Sequence, residues 1–142
     1  MIDDSWTHDP SEGFLALLGG IWWRDRGNER EFAFLAEERH SNRNGVVHGG
    51  MLMTFVDRSF AIAARRASGA TRTATISLSH QFLTPLQIGS FATVRPRILK
   101  LTKRVAFLEG TVWCDNDPVT QAQGVWRLSA SSPSRQAETH RL

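Results

Sequence analysis

Asp57 stands in a run from Met51 to Ala67 that is favourable for helix throughout. Its apolar residues, among them Leu52, Phe55, Val56 and Phe60, cover most of a helix circumference. A carboxylate in such a helix costs several kcal/mol unless it is paired or faces a wet pocket. Arg58 points about 100° away and is no obvious partner. Just upstream, Asn42 leads through Asn44 to His48-Gly49-Gly50, which opens the same helix. The first N–H groups of a helix are unpaired, and glycine lets a carbonyl oxygen approach them closely. The helix dipole favours negative charge there. A carboxylate with such donors can act as base or nucleophile and as oxyanion site for attack on an acyl carbon. The same residues also admit a structural reading: glycines required for packing, and an aspartate satisfied by a hydroxyl or turned to solvent.

Reach constrains the functional reading. Asp57 lies two turns and roughly 10 Å beyond Gly50, whereas a base and an oxyanion donor must both come within about 3 Å of the reacting atoms. One subunit cannot supply both. An antiparallel pair of such helices brings the start of one to the middle of the other and gives a dimer two equivalent composite sites.

The elements that position these groups follow from punctuation and alternation. Ser11–Leu18 reads as a short helix ended by Gly19-Gly20, expected to cover an apolar edge, and Gly27-Asn28 as a turn before a strand through Phe32 and Phe34. Glu37–Gly45 is polar and reads as exposed, irregular chain. After the long helix, Thr71–Thr84, Gly89–Leu99, Arg104–Cys114 and Val119–Leu128 read as four strands, with Pro96 marking a bulge or unpaired edge. His80 alternates with Ile76, Leu78 and Phe82 and so belongs either to the core or to a pocket. The class is α+β, a long central helix wrapped by a curved antiparallel sheet. A single domain is expected over residues 1–142, with an N-terminal extension over 1–10 and a disordered tail over 130–142.

Composition narrows the function classes. The 142 residues are 41% hydrophobic and 22% charged, which is globular, and the single cysteine cannot form an internal disulfide. Long uncharged apolar segments are absent, and the opening MIDDSWTHDP is acidic where a signal peptide is basic; a cytoplasmic protein without membrane association is expected. His8, His40, His48, His80 and His140 lack metal-ligand spacing, so neither metal nor cofactor is expected. The net charge of +3 is weak. Arg95, Arg97, Lys100, Lys103 and Arg104 form a basic stripe suited to solvent or to a small phosphorylated ligand. It lacks the aromatic interleaving and motifs of a nucleic-acid surface, so no nucleic-acid partner is expected.

The run NGVVHGG (Asn44 to Gly50), Asp57 nine residues after His48, and ISLSHQFLTPLQIG (Ile76 to Gly89) resemble the hotdog-fold acyl-CoA thioesterases of the phenylacetate-pathway type. The resemblance spans Ser41 to Leu128. It implies hydrolysis of an acyl-CoA to free acid and CoA, with Asp57 as nucleophile or general base and the Gly49 N–H, helped by Gly50, as oxyanion donor. It further implies that His48 shapes the loop, that Asn42 positions substrate or water with Asn44 as a rival, and that Thr75 holds the attacking water. Asp57 and Thr75 would come from the subunit opposite the glycine loop, in a homodimer assembled into a homotetramer. Met53 and Phe82, with Phe55 and Phe60, are candidate acyl-pocket residues, and Arg95, Arg97, Lys103 and Arg104 candidate contacts for the CoA phosphates. The alternative is a non-catalytic acyl-CoA-binding protein of the same fold.

Overall fold

Turns cut the chain into strands, some of which pair with the next in sequence and others across longer connections. In the computed structural model, which describes residues 2–130, β1 (Thr7–Asp9) lies within the N-terminal extension and is followed by α1 (Gly13–Leu17). Next come β2 (Ile21–Arg26) and β3 (Glu29–Leu35), a hairpin turned by Gly27-Asn28 with Gly27 at φ 61°. The long helix α2 (Gly49–Ser68) ends at Gly69, whose φ of 76° suits a left-handed C-cap. Then β4 (Arg72–Phe82), β5 (Phe91–Val94), β6 (Arg97–Leu101), β7 (Val105–Cys114) and β8 (Asp117–Ser129) complete an antiparallel sheet. Its order is β1-β2-β3-β5-β7-β8-β4, with β6 also on β7. The tail expected to be disordered lies, from residue 131, outside the described residues.

The α+β expectation holds, with three differences, the first being that Thr7–Asp9, inside the expected extension, is a strand. Ile21–Arg26 is a strand that the sequence reading did not assign. The strand expected over Gly89–Leu99 is two strands: β5 stops before Pro96, which has no N–H for the ladder, and β6 resumes on β7.

The helix α2 buries Met51, Leu52, Phe55, Val56, Ser59, Phe60 and Ala64, a three-to-four-residue rhythm, against the concave face. Phe55 meets the Phe34 ring at 4.8 Å and Phe60 meets Trp126 at 5.6 Å. Gly110 admits this approach, since a Cβ there would lie 2.9 Å from Phe60 Cζ. The apolar side chains of α1 do not cover a core edge in the single chain: Phe14 and Leu17 are exposed.

The register of β4 decides what faces α2. Thr75 pairs with Trp126 and Ser77 with Val125, leaving Ile76 as the extra residue of a β-bulge. The bulge reverses the alternation, so Thr73 and Thr75 share the helix-facing side with Leu78, His80 and Phe82. Ile76, expected on that side, is instead 60% exposed. Gly124 makes room for the bulge, because a Cβ there would lie 2.6 Å from the Ser77 carbonyl oxygen.

Candidate active site

Asp57 is partly buried on α2, and two donors from the sheet fix one of its oxygens. The Thr75 hydroxyl donates to Oδ1 at 2.5 Å and the Trp126 indole N–H donates to the same atom at 3.3 Å. Among the described residues Oδ2 has no hydrogen-bond partner, and the carboxylate borders an open groove of about 500 Å³. Met53, Thr54, Leu78 and the α1 residues Phe14 and Leu15 share that groove. The resemblance gives Thr75 the task of holding the attacking water; here its hydroxyl donates directly to the carboxylate. Trp126 is an addition to the site: its indole donor is 69 residues away in sequence, and no local pattern distinguishes it from a core tryptophan.

The helix start is pinned from several directions. His48 caps α2, its Nδ1 accepting from the Gly50 N–H at 2.7 Å. The Gly50 donor, read from sequence as a helper at the oxyanion site, is therefore already used. The Gly49 N–H has no hydrogen-bond partner among the described residues and stays available. Gly49 also faces the Phe82 ring, which a Cβ would meet at 3.3 Å, so a larger residue would displace either the ring or the helix start.

Upstream, the Val47 N–H donates to Leu86 O at 2.9 Å and the His48 N–H to His40 O at 2.7 Å. His40 lies in the stretch expected to be exposed, yet it is 3% exposed. Its Nδ1 accepts from the Glu37 N–H at 2.9 Å, so Nε2 carries the proton that it donates to Leu18 O at 2.7 Å. A histidine with both nitrogens paired can be buried at little cost. Asn42 closes the turn between them, its Oδ1 accepting the N–H groups of Asn44 at 2.8 Å and Val46 at 3.3 Å. The Asn44 side chain is exposed.

The basic stripe does not join this site within one protomer. Glu31, Thr93, Arg95, Arg97, Glu109 and Trp113 line a depression on the sheet face away from α2. Arg95 donates to Glu31 Oε2 at 2.7 Å and Arg97 pairs with Glu109. Burial alone would raise the Glu31 pKa, but hydrogen bonds and charge from Arg95 and Arg24 together hold it below the usual carboxylate range. Lys103 and Arg104 sit in the exposed β6–β7 turn. Among the described residues no three His, Cys, Asp or Glu side chains converge as a metal site.

His80 is stacked on Phe82 at 5.6 Å, with Nδ1 3.4 Å from Thr120 Oγ1. Its Nε2 is buried without a partner. Burial pushes its pKa below the ordinary histidine value, against the smaller opposing pull of the Asp57 charge. The unfolded chain therefore takes up this proton first. The stability held by neutral His80 is complete above about pH 6.5 and is lost as pH falls through the lower folded value. His80→Leu is expected to flatten that acid loss and, by removing an orphaned polar atom, to raise stability at neutral pH by about 1 kcal/mol. Thermal midpoints of both proteins measured on either side of that window check this, and an unaltered acid slope contradicts it.

In sequence and in fold the chain is similar to known proteins. A family model described as "Thioesterase superfamily" matches residues 44–121. A Pseudomonas aeruginosa protein named "Putative esterase" is 31% identical over 121 residues, covering 83% of this chain and 90% of that protein. Mouse Acyl-coenzyme A thioesterase 13 is 30% identical over 71 residues, 50% of this chain and 51% of its own length. Of solved structures, a Haemophilus influenzae thioesterase superposes with a TM-score of 0.75 at 18% identity, covering 85% of each chain. The PaaI protein of the Escherichia coli phenylacetic acid degradation operon superposes at 0.74 and 17% identity, covering 83% of this chain and 85% of that one. These two likenesses establish the fold. No described helix is long and apolar enough to cross a membrane.

Proposed function

The chain belongs to the thioesterase superfamily, and from that membership we propose that it hydrolyses an acyl-CoA thioester to the free carboxylic acid and CoA. The observation that carries the reading is Asp57: a carboxylate held through Oδ1 by Thr75 and Trp126, with Oδ2 left free beside an open groove.

Gly49 and Asp57 are eight residues apart on one helix, roughly 12 Å along its axis. The working site therefore takes Asp57 and Thr75 from one subunit and the Gly49 N–H from its partner. Supporting this pairing, β4 is an edge strand bonded on one side only, and Ile76, Phe82, Leu83 and Met53 expose apolar surface around it. On the opposite face Leu99, Leu101, Phe107 and Trp113 are also exposed, which supports joining two dimers into a tetramer.

In the general-base route, Asp57 Oδ2 accepts a proton from water as its oxygen bonds to the thioester carbon. The carbonyl oxygen becomes an oxyanion at the Gly49 N–H. Collapse breaks the carbon–sulfur bond, and the proton on Asp57 passes to the departing CoA sulfur. In the nucleophilic route Oδ2 itself attacks, expels the thiolate, and leaves an anhydride that water hydrolyses. Both routes use the same groups. His48 fixes the glycine turn by capping α2, and Asn42 shapes the loop that leads into it. Met53 and Phe82 bound the acyl side, and the exposed Lys103 and Arg104 remain candidates for the CoA phosphates. A thiol-release assay over straight-chain and arylacetyl CoA esters tests the proposal: free CoA is expected with turnover. Tight ester binding without release would make the protein a binder instead.

A further inference from the structure

Hydrolysis uses Asp57, Thr75 and Trp126 but gives no role to two arginines that line the same groove. Arg58 and Arg65 are seven residues apart on α2, two turns and roughly 10 Å. Arg65 donates one hydrogen bond, from Nη1 to Thr73 Oγ1 at 3.3 Å, and among the described residues no carboxylate lies within ion-pair distance of it. Arg58 reaches Asp9 at only 3.4 Å, and its Nε is buried without a partner. A separate depression that shares Leu15 and Arg58 is lined by Asp9, Glu12 and Ser11, whose Oγ is likewise buried and unpaired. These carboxylates lie on the Arg58 side, and neither lines the groove beside Arg65.

Burial, and secondarily the charge of Arg58, hold the Arg65 pKa below the ordinary arginine value. Two guanidiniums in one partly buried groove repel each other, and an anion seated on Arg65 offsets that cost while accepting charge-assisted bonds. Between Asp57 and Arg65 the wall is apolar, formed by Phe14, Leu15, Ala61 and Leu78. A ligand that fits is reactive near Asp57, apolar along its middle and negative at its far end.

We propose that this groove is the acyl channel and selects acyl groups with a distal carboxylate, seated on Arg65 at the end remote from Asp57 and within the field of Arg58. The proposal rests on Asp57 being the hydrolytic carboxylate. A CoA phosphate offers similar anion chemistry, and the test distinguishes the two sources. Adipyl-CoA and hexanoyl-CoA share a chain length and differ in the terminal carboxylate.

Wild type is expected to favour adipyl-CoA in kcat/KM by at least about tenfold, and Arg65→Met to shrink that preference by roughly 10- to 100-fold. Arg65→Lys, which keeps charge but not the planar fork, is expected to fall between. The proposal is overturned if wild type shows no preference. It is equally overturned if Arg65→Met lowers both esters by the same factor, which assigns the anion to CoA, or if that variant loses its oligomeric state on gel filtration, which assigns Arg65 to the subunit contact. Hydrolysis of hexanoyl-CoA without preference leaves the thioesterase reading standing; release from neither ester removes both.

Discussion

Asp57→Asn is expected to lower acyl-CoA hydrolysis by about three orders of magnitude or more while leaving CoA-ester binding within a few-fold of wild type. The amide keeps the size of the carboxylate and can still accept from Thr75 and Trp126 through its oxygen, so the local packing survives. What disappears is the free Oδ2, which must accept a proton or attack carbon, and an amide does neither at neutral pH. Thiol release at saturating ester, with binding followed separately by calorimetry, separates the chemistry from recognition. Equal turnover in the two proteins would remove Asp57 from the mechanism. Loss of binding together with turnover would instead make the residue structural.

Gly49→Val is expected to cost roughly 100- to 1000-fold in kcat, the range for removing one oxyanion donor. The side chain would push into the Phe82 ring, which already stands 3.3 Å from the position of a Cβ. Displacing the ring or the helix start shifts the one N–H in the turn that His48 does not occupy. The expected signature is a fall in kcat with KM little changed, because the donor acts on charge that develops only in the transition state. A near-normal kcat in a folded variant would place the oxyanion elsewhere.

The features legible in the sequence were those written in local periodicity. The helix over Gly49–Ser68 was readable from its apolar wrap and closing glycine, and the sheet from alternating runs. The link between Asp57 and Thr75 came from resemblance, and its physical basis was hidden, since it needs a bulge at Ile76 that alternation does not announce. The carbonyl oxygen of Ser77 lies 2.6 Å from the position of a Cβ on Gly124, and this accommodation across two strands appears only once they pair.

Other misreadings have the same origin. Arg95 and Arg97 read as free cations because their partners, Glu31 and Glu109, come from other strands. The run around His40 read as exposed because its polarity was visible and the two backbone partners that allow burial were not. Strand β2 was missed because Trp22-Trp23-Arg24-Asp25 does not alternate, although its hairpin partner lies just beyond Gly27-Asn28.

Subunit complementation tests the shared site most directly. Asp57→Asn and Gly49→Val chains are each expected to be nearly inactive alone. Unfolded together and refolded in equal amounts, they form mixed dimers in which one of the two sites pairs an intact Asp57 with an intact Gly49. Random assembly then restores about a quarter of wild-type activity. Activity no higher than the average of the two separate variants, in a preparation shown by mass spectrometry to contain mixed dimers, would contradict a site built across subunits.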